Sequence, residues 1–231
     1  MHRHLIWDFD GTLAELPGMW SGTLAEVVRR HGDFALATAA DFRPFLQSGF
    51  PWHVPDAMRA PGRDADAWWG DLSPLLVNAL MRGARLDANR ASALLPAVRS
   101  AYCDPARWRV FEDVQPALAE LSSQGWRHVV LSNHVPELPL IVAALGMAGH
   151  FDYIVTSAET GVEKPNALAF AGILDRLPCG STAVMIGDSY EADIVGARNA
   201  GIDAILVRRP DERAARFAAT LCDLPSMLFA R

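Results

Sequence analysis

Residues 5–13 read Leu-Ile-Trp-Asp-Phe-Asp-Gly-Thr-Leu, a short apolar run that ends on two carboxylates and a glycine. A run of this kind, bounded by turn residues, reads as a buried strand. Alternation along extended backbone sets Asp8 and Asp10 on one side, and Gly11 lets the chain turn sharply away. Two crowded carboxylates need a cation or a shared proton. A hard divalent ion such as Mg²⁺, its shell completed by substrate phosphate and water, is a common solution. Taken alone, the same residues also suit a plain acidic turn at a strand end.

The pattern recurs downstream. Residues 113–124 (DVQPALAELSSQ) read as a helix stopped by Gly125, and 128–131 as a strand ending on Ser132 and Asn133. Pro136 opens a helical stretch that closes at Gly146, and 153–156 is strand-like. Pro165 sits where a first-turn proline starts a helix. Residues 183–186 form a further strand ending on Gly187-Asp188-Ser189, 192–200 a helix with Gly201 past its end, and 204–207 a last strand. Strands alternating with helices predict an α/β fold with a parallel sheet. Four polar clusters follow strands: Asp8/Asp10, Ser132/Asn133, the loop 156–164, and Asp188/Asp193. Ligands of open α/β sheets bind beyond the carboxyl ends of the strands, so these clusters are expected to converge. His134, beside the second cluster, reads as a loop histidine, with substrate contact as the alternative.

The stretch from about residue 15 to residue 102 lacks this alternation and reads as a helical insertion, with helices at 72–82 and 91–99 and a breaker-dense segment at 42–63. Trp52, His53, Trp68 and Trp69 read as the core of that insertion, with a pocket lining as the alternative.

Composition narrows the function classes. With 231 residues, 51% apolar and 21% charged, the chain can bury a sizeable core. Twenty-one basic residues against 27 acidic give a net charge of −6, which argues against a general nucleic-acid binder. Cys103, Cys179 and Cys222 form no CxxC pair and suit reduced thiols. No apolar stretch reaches transmembrane length and no signal-peptide core follows Met1, so a cytoplasmic protein with neither membrane nor nucleic-acid partner, monomer or homodimer, is expected. Lys164 is the single lysine beside 20 arginines. A site that needs a compact ammonium rather than a planar fork is the simplest physical reason for the exception, with chance as the alternative.

In order, DFDGTL (from Asp8), LSN (ending at Asn133), EKPN (containing Lys164) and GDSYEAD (from Gly187 to Asp193) resemble the four motifs of the haloacid dehalogenase-like superfamily. The resemblance implies a Rossmann-like three-layer core with a parallel sheet, formed by residues 1–14 and 105–231, and an inserted helical cap at 15–104. It implies Asp8 as the nucleophile, Asp10 as general acid/base, and Ser132, Asn133 and Lys164 at the transferring phosphoryl group. Asp8, Asp10 through its backbone carbonyl, and Asp188 would hold Mg²⁺, with Asp193 behind them. The implied activity is Mg²⁺-dependent hydrolysis of a small phosphorylated metabolite through an aspartyl-phosphate. Superfamily members that displace halide lack the second aspartate, so Asp10 disfavours a haloacid dehalogenase. The insertion contains no lysine, which disfavours a Schiff-base phosphonatase. A phosphomutase and a non-catalytic binding protein on the same fold are the remaining alternatives.

Overall fold

In the computed structural model, which describes residues 2–229, the first apolar run forms β1 (Arg3–Trp7), with Leu5, Ile6 and Trp7 fully buried. β2 (Ala14–Glu15) pairs antiparallel with β3 (Arg109–Val110), just outside the main sheet. β4 (Trp126–Ser132), β5 (Phe151–Thr156), β6 (Thr182–Gly187), β7 (Asp203–Val207) and β8 (Phe217–Ala218) join β1 in one parallel sheet of order β5-β4-β1-β6-β7-β8. The chain is therefore an α/β protein of Rossmann-like type. β1 lies between β4 and β6, the point where the strand order reverses, and ligands of open α/β sheets bind at the carboxyl ends beside such a point.

Burial explains why the middle strands are apolar without alternation. Ile6, Val129, Leu131, Val155 and Met185 pack with Phe170, Ile173 and Ile194 from the flanking helices in one cluster. Each such side chain contributes about 1.5–3 kcal/mol relative to exposure. Every expected strand is present. Several helices begin away from their expected starts, and two of these differences bear on the site. Pro165 lies ahead of its helix, Ala167–Leu174, and Asn166 is the N-cap, its side chain accepting Leu168 N–H at 3.0 Å. The stretch 192–200 opens as a π-turn, Tyr190–Val195, before a short α-helix, Gly196–Asn199.

The chain divides into two compact units: Met1–Glu15, Pro55–Gly62 and Arg109–Arg231 in the first, Leu16–Val54 and Arg63–Trp108 in the second. The second holds helices Met19–Arg30, Ala65–Gly83, Ala88–Ala93 and Leu95–Cys103. Asp64 caps the longest, accepting Ala67 N–H at 2.7 Å, and Pro at the start of Leu95–Cys103 separates two helices where the sequence predicts one. Helix Met19–Arg30 is not among the expected elements, because Pro17, Gly18 and Gly22 look like breakers. Gly18, at φ 72°, precedes the helix, and a Cβ on Gly22 would collide with the Pro17 carbonyl. Trp20 stacks on Tyr102 with ring centroids 3.9 Å apart and contacts Trp69 and Phe50, so the aromatics build this unit's core. Trp68 is buried too, whereas His53 is exposed. No described helix is long and apolar enough to cross a membrane.

Candidate active site

Asp8 is the first residue past β1, tied by its N–H to the Ile186 carbonyl at 2.9 Å. Its buried carboxylate receives two donors on one oxygen. Ser132 Oγ donates to Oδ1 at 2.8 Å, and Lys164 Nζ lies 2.9 Å from the same atom. That fixes the carboxylate and leaves Oδ2 outside both contacts.

Asp10 follows on a tight turn in which Gly11 N–H donates to the Ala14 carbonyl at 2.8 Å. Gly11 is required twice over: its φ is +75°, and a Cβ would collide with the Asp188 carboxylate. Burial, with Asp8 and Asp188 nearby, pushes the Asp10 carboxyl well above the ordinary range. His134 Nε2 stands 3.7 Å from Asp10 Oδ1, and the ring meets Phe9 edge-on. Burial lowers the His134 imidazole to about 4, so it is neutral at pH 7. Nothing in the local sequence signals that this loop residue is buried against Asp10.

Lys164 is enclosed, its side chain 1% exposed, with Nζ 2.6 Å from Asp193 Oδ1 and 2.9 Å from Asp8 Oδ1. Burial opposes its charge, but Asp193 and Asp8 outweigh it and hold the ammonium above lysine's usual value. Its backbone is clamped by the Asn133 amide: Lys164 N–H donates to Oδ1 at 2.8 Å and Nδ2 donates to the Lys164 carbonyl at 2.9 Å. Both ends of the Asn133 side chain are thereby engaged on Lys164.

Asp193 is aimed by the π-turn. Its Oδ2 accepts Ser189 N–H at 3.0 Å, and Gly187 has no Cβ where one would collide with this carboxylate. Asp188, just past β6, is buried and has Arg209 Nε 3.0 Å from Oδ2. Burial, then the neighbouring Asp8, raises the Asp188 carboxyl; burial also raises Asp193, with Asp8 adding to it and Lys164 opposing. Carboxylate oxygens of Asp8, Asp188 and Asp193 lie within 4.8 Å of one another. An all-oxygen, negatively charged set suits a hard cation such as Mg²⁺. Both Asp193 oxygens already have donors, which leaves Asp8 and Asp188 as the carboxylates with capacity for an ion.

The structure thus gathers Asp8, Ser132, Lys164, Asp188 and Asp193, with Asp10 beside them and Asn133 on the lysine backbone. Arg208 is a structural residue that the sequence reading misses. Its Nε donates to the Thr12 carbonyl at 2.8 Å, its Nη atoms reach Asp113 at 2.7 and 3.2 Å, and the guanidinium lies 3.9 Å above the Phe111 ring. One arginine therefore holds both sides of the β2–β3 base. Only its position directly after the last long strand distinguishes it from 19 other arginines.

The family model described as haloacid dehalogenase-like hydrolase matches residues 2–201. The chain belongs to the haloacid dehalogenase-like hydrolase family. It is 31% identical over 161 residues to haloacid dehalogenase-like hydrolase domain-containing protein 3 of Danio rerio, a match covering 68% of this chain and 64% of the relative, just under two thirds of its length. It is 29% identical over 223 residues to the phosphoserine phosphatase of Thermus thermophilus, covering 89% of this chain and 88% of that protein. In fold it is similar to the crystal structure of a haloacid dehalogenase-superfamily phosphatase from Thermococcus onnurineus, with a TM-score of 0.63, 20% identity and 99% of each chain covered.

Proposed function

We propose that this hydrolase is a Mg²⁺-dependent phosphomonoesterase that acts on a small phosphorylated metabolite through an aspartyl-phosphate on Asp8. The observation that carries the reading is the different treatment of two neighbouring aspartates. Asp8 is held on one oxygen by a hydroxyl and an ammonium, while Asp10 is pushed toward its protonated form. An oriented carboxylate beside a carboxylic acid is the pairing that nucleophilic attack with leaving-group protonation requires.

In the first half-reaction Asp8 Oδ2 bonds to phosphorus, the ester P–O bond breaks, and Asp10 gives its proton to the leaving oxygen. In the second, ionised Asp10 takes a proton from water as that water attacks phosphorus. The Asp8 acyl-phosphate P–O bond breaks and inorganic phosphate leaves. Ser132 and Lys164 face the phosphoryl oxygens, Asn133 holds the lysine backbone, and Asp193 locks the ammonium in place. Mg²⁺ on Asp8, Asp188 and the Asp10 carbonyl would supply the positive charge that lets an anionic nucleophile meet an anionic substrate. The phosphoserine phosphatase among the relatives supports the phosphomonoester class. A cytoplasmic setting fits Cys103, Cys179 and Cys222, which form no disulfide among the described residues.

The test is phosphate release from a panel of phosphomonoesters, including p-nitrophenyl phosphate, with Mg²⁺ and with EDTA. Turnover that EDTA abolishes and Mg²⁺ restores is expected. Failure on every ester, combined with isomerisation of a sugar phosphate that depends on a bisphosphate activator, would replace the reading with a phosphomutase.

A further inference from the structure

Pro55–Gly62 lies within the insertion in sequence but packs inside the first compact unit. This strap is fastened to the loop that carries Lys164. Arg59 N–H donates to the Gly161 carbonyl at 2.8 Å, Gly62 N–H to the Glu159 carbonyl at 2.8 Å, and Asn166 Nδ2 to the Pro55 carbonyl at 3.2 Å. Gly161 permits the approach, since its φ is +74° and a Cβ there would collide with the Arg59 carbonyl oxygen.

Beneath the strap is Glu163, the residue immediately before Lys164, with its side chain 2% exposed. Its Oε2 has no hydrogen-bond partner among the described residues. Arg59 Nη1, which likewise makes no hydrogen bond, stands 3.9 Å from Glu163 Oε1. Burial raises the Glu163 carboxyl, and the groups that oppose this are Ser157, Arg59 and Lys164. Lys164 directs its ammonium to Asp8 and Asp193, so Arg59 is the cation left to Glu163. A buried carboxylate deprived of its cation is strongly disfavoured, and the cost falls on the backbone that carries it.

We propose that Arg59 is a positioning residue for Lys164: its guanidinium compensates the buried Glu163 carboxylate and keeps the 163–164 backbone where the Asn133 amide clamps it and the ammonium reaches Asp8. The insertion thereby takes part in setting the lysine, through a charge pair rather than through substrate. The consequence for turnover rests on the phosphatase reading; the consequence for stability does not.

A mutant cycle on the full chain tests this with Arg59→Gln, Glu163→Gln and the double variant, read by thermal midpoint without substrate and by kcat and KM for phosphate release. Arg59→Gln alone is expected to lower the midpoint by about 5 °C and kcat about tenfold, with KM within about twofold. In the Glu163→Gln background the same change is expected to have little effect on either, because the charge that needed compensation is gone. An Arg59→Gln loss of equal size in both backgrounds would overturn the proposal. So would a raised KM at unchanged kcat, which would place Arg59 on the substrate. If the wild type turns over no phosphoester, the midpoint cycle alone still decides the Arg59–Glu163 coupling.

Discussion

The Lys164 ammonium lies 2.6 Å from Asp193 Oδ1, closer than its 2.9 Å approach to Asp8, in a position where its side chain is 1% exposed. The pair explains why the chain keeps a lysine here while using arginine everywhere else. A single ammonium nitrogen meets both carboxylates at this enclosed point, and the wider planar guanidinium does not fit where that nitrogen sits. Lys164→Arg is therefore expected to lower kcat at least about 100-fold and to reduce stability by on the order of 3 kcal/mol, as for breaking a buried pair. Steady-state assays and denaturant unfolding check both; an active, equally stable Lys164→Arg protein would contradict the assignment.

The acidic cluster makes a pH prediction whose sign follows from its raised carboxyls. Burial and mutual repulsion raise Asp10 and Asp188 above ordinary values, and burial raises Asp193 despite Lys164. An acid whose folded value is raised contributes stability below its unfolded value, about 3.9, and loses it as pH rises through the folded value. Metal-free protein is thus penalised toward alkaline pH, and Mg²⁺ relieves a penalty that is larger there. The Mg²⁺-induced rise in thermal midpoint is expected to be greater near pH 8 than near pH 5, where the ion must displace protons. Asp188→Asn should remove most of that rise. A shift equal at both pH values, or intact in Asp188→Asn, would speak against an ion on Asp8 and Asp188.

Arg208 should matter although it touches neither Asp8 nor Asp10. Its guanidinium joins the Thr12 carbonyl to Asp113, whose carboxylate also accepts Leu221 N–H at 2.9 Å. Arg208→Lys keeps the charge but cannot serve three acceptors and a ring face together. A loss of about 2 kcal/mol in unfolding free energy is expected, because the partly buried Asp113 is left short of donors. Urea denaturation of Arg208→Lys checks it, and a midpoint equal to wild type would refute the clamp.

Much of the fold and of the site is legible in the amino-acid order. An apolar run ending on Asp8 and Asp10 announces a buried strand leading into a polar crevice, and the lone Lys164 announces a site with a special need for an ammonium. Motif order then carries the family. Less legible is anything set by non-local packing. The π-turn that carries Asp193 toward Lys164 has no propensity signature, and Gly187 leaves the room that the Asp193 carboxylate occupies. The strap at Pro55–Gly62 reads as one more breaker-rich stretch of the insertion, since its partner, the loop at Gly161, lies about a hundred residues away. Asn133 suggests a phosphate contact or a turn brace, but which backbone its amide clamps depends on where β5 delivers residue 164. Gly22 looks like a breaker within helix Met19–Arg30 because local propensity counts against glycine, whereas packing against the Pro17 carbonyl demands it.

In the proposed reaction Asp8 carries the phosphoryl group. The most direct measurement compares phosphate release by wild type and Asp8→Asn on the best ester of the panel, in Mg²⁺, with both proteins shown to be folded by thermal unfolding. Asp8→Asn is expected to lose turnover by at least about 10⁴-fold while keeping its fold, since an amide cannot form the acyl-phosphate. Release by Asp8→Asn within a few-fold of wild type would contradict it.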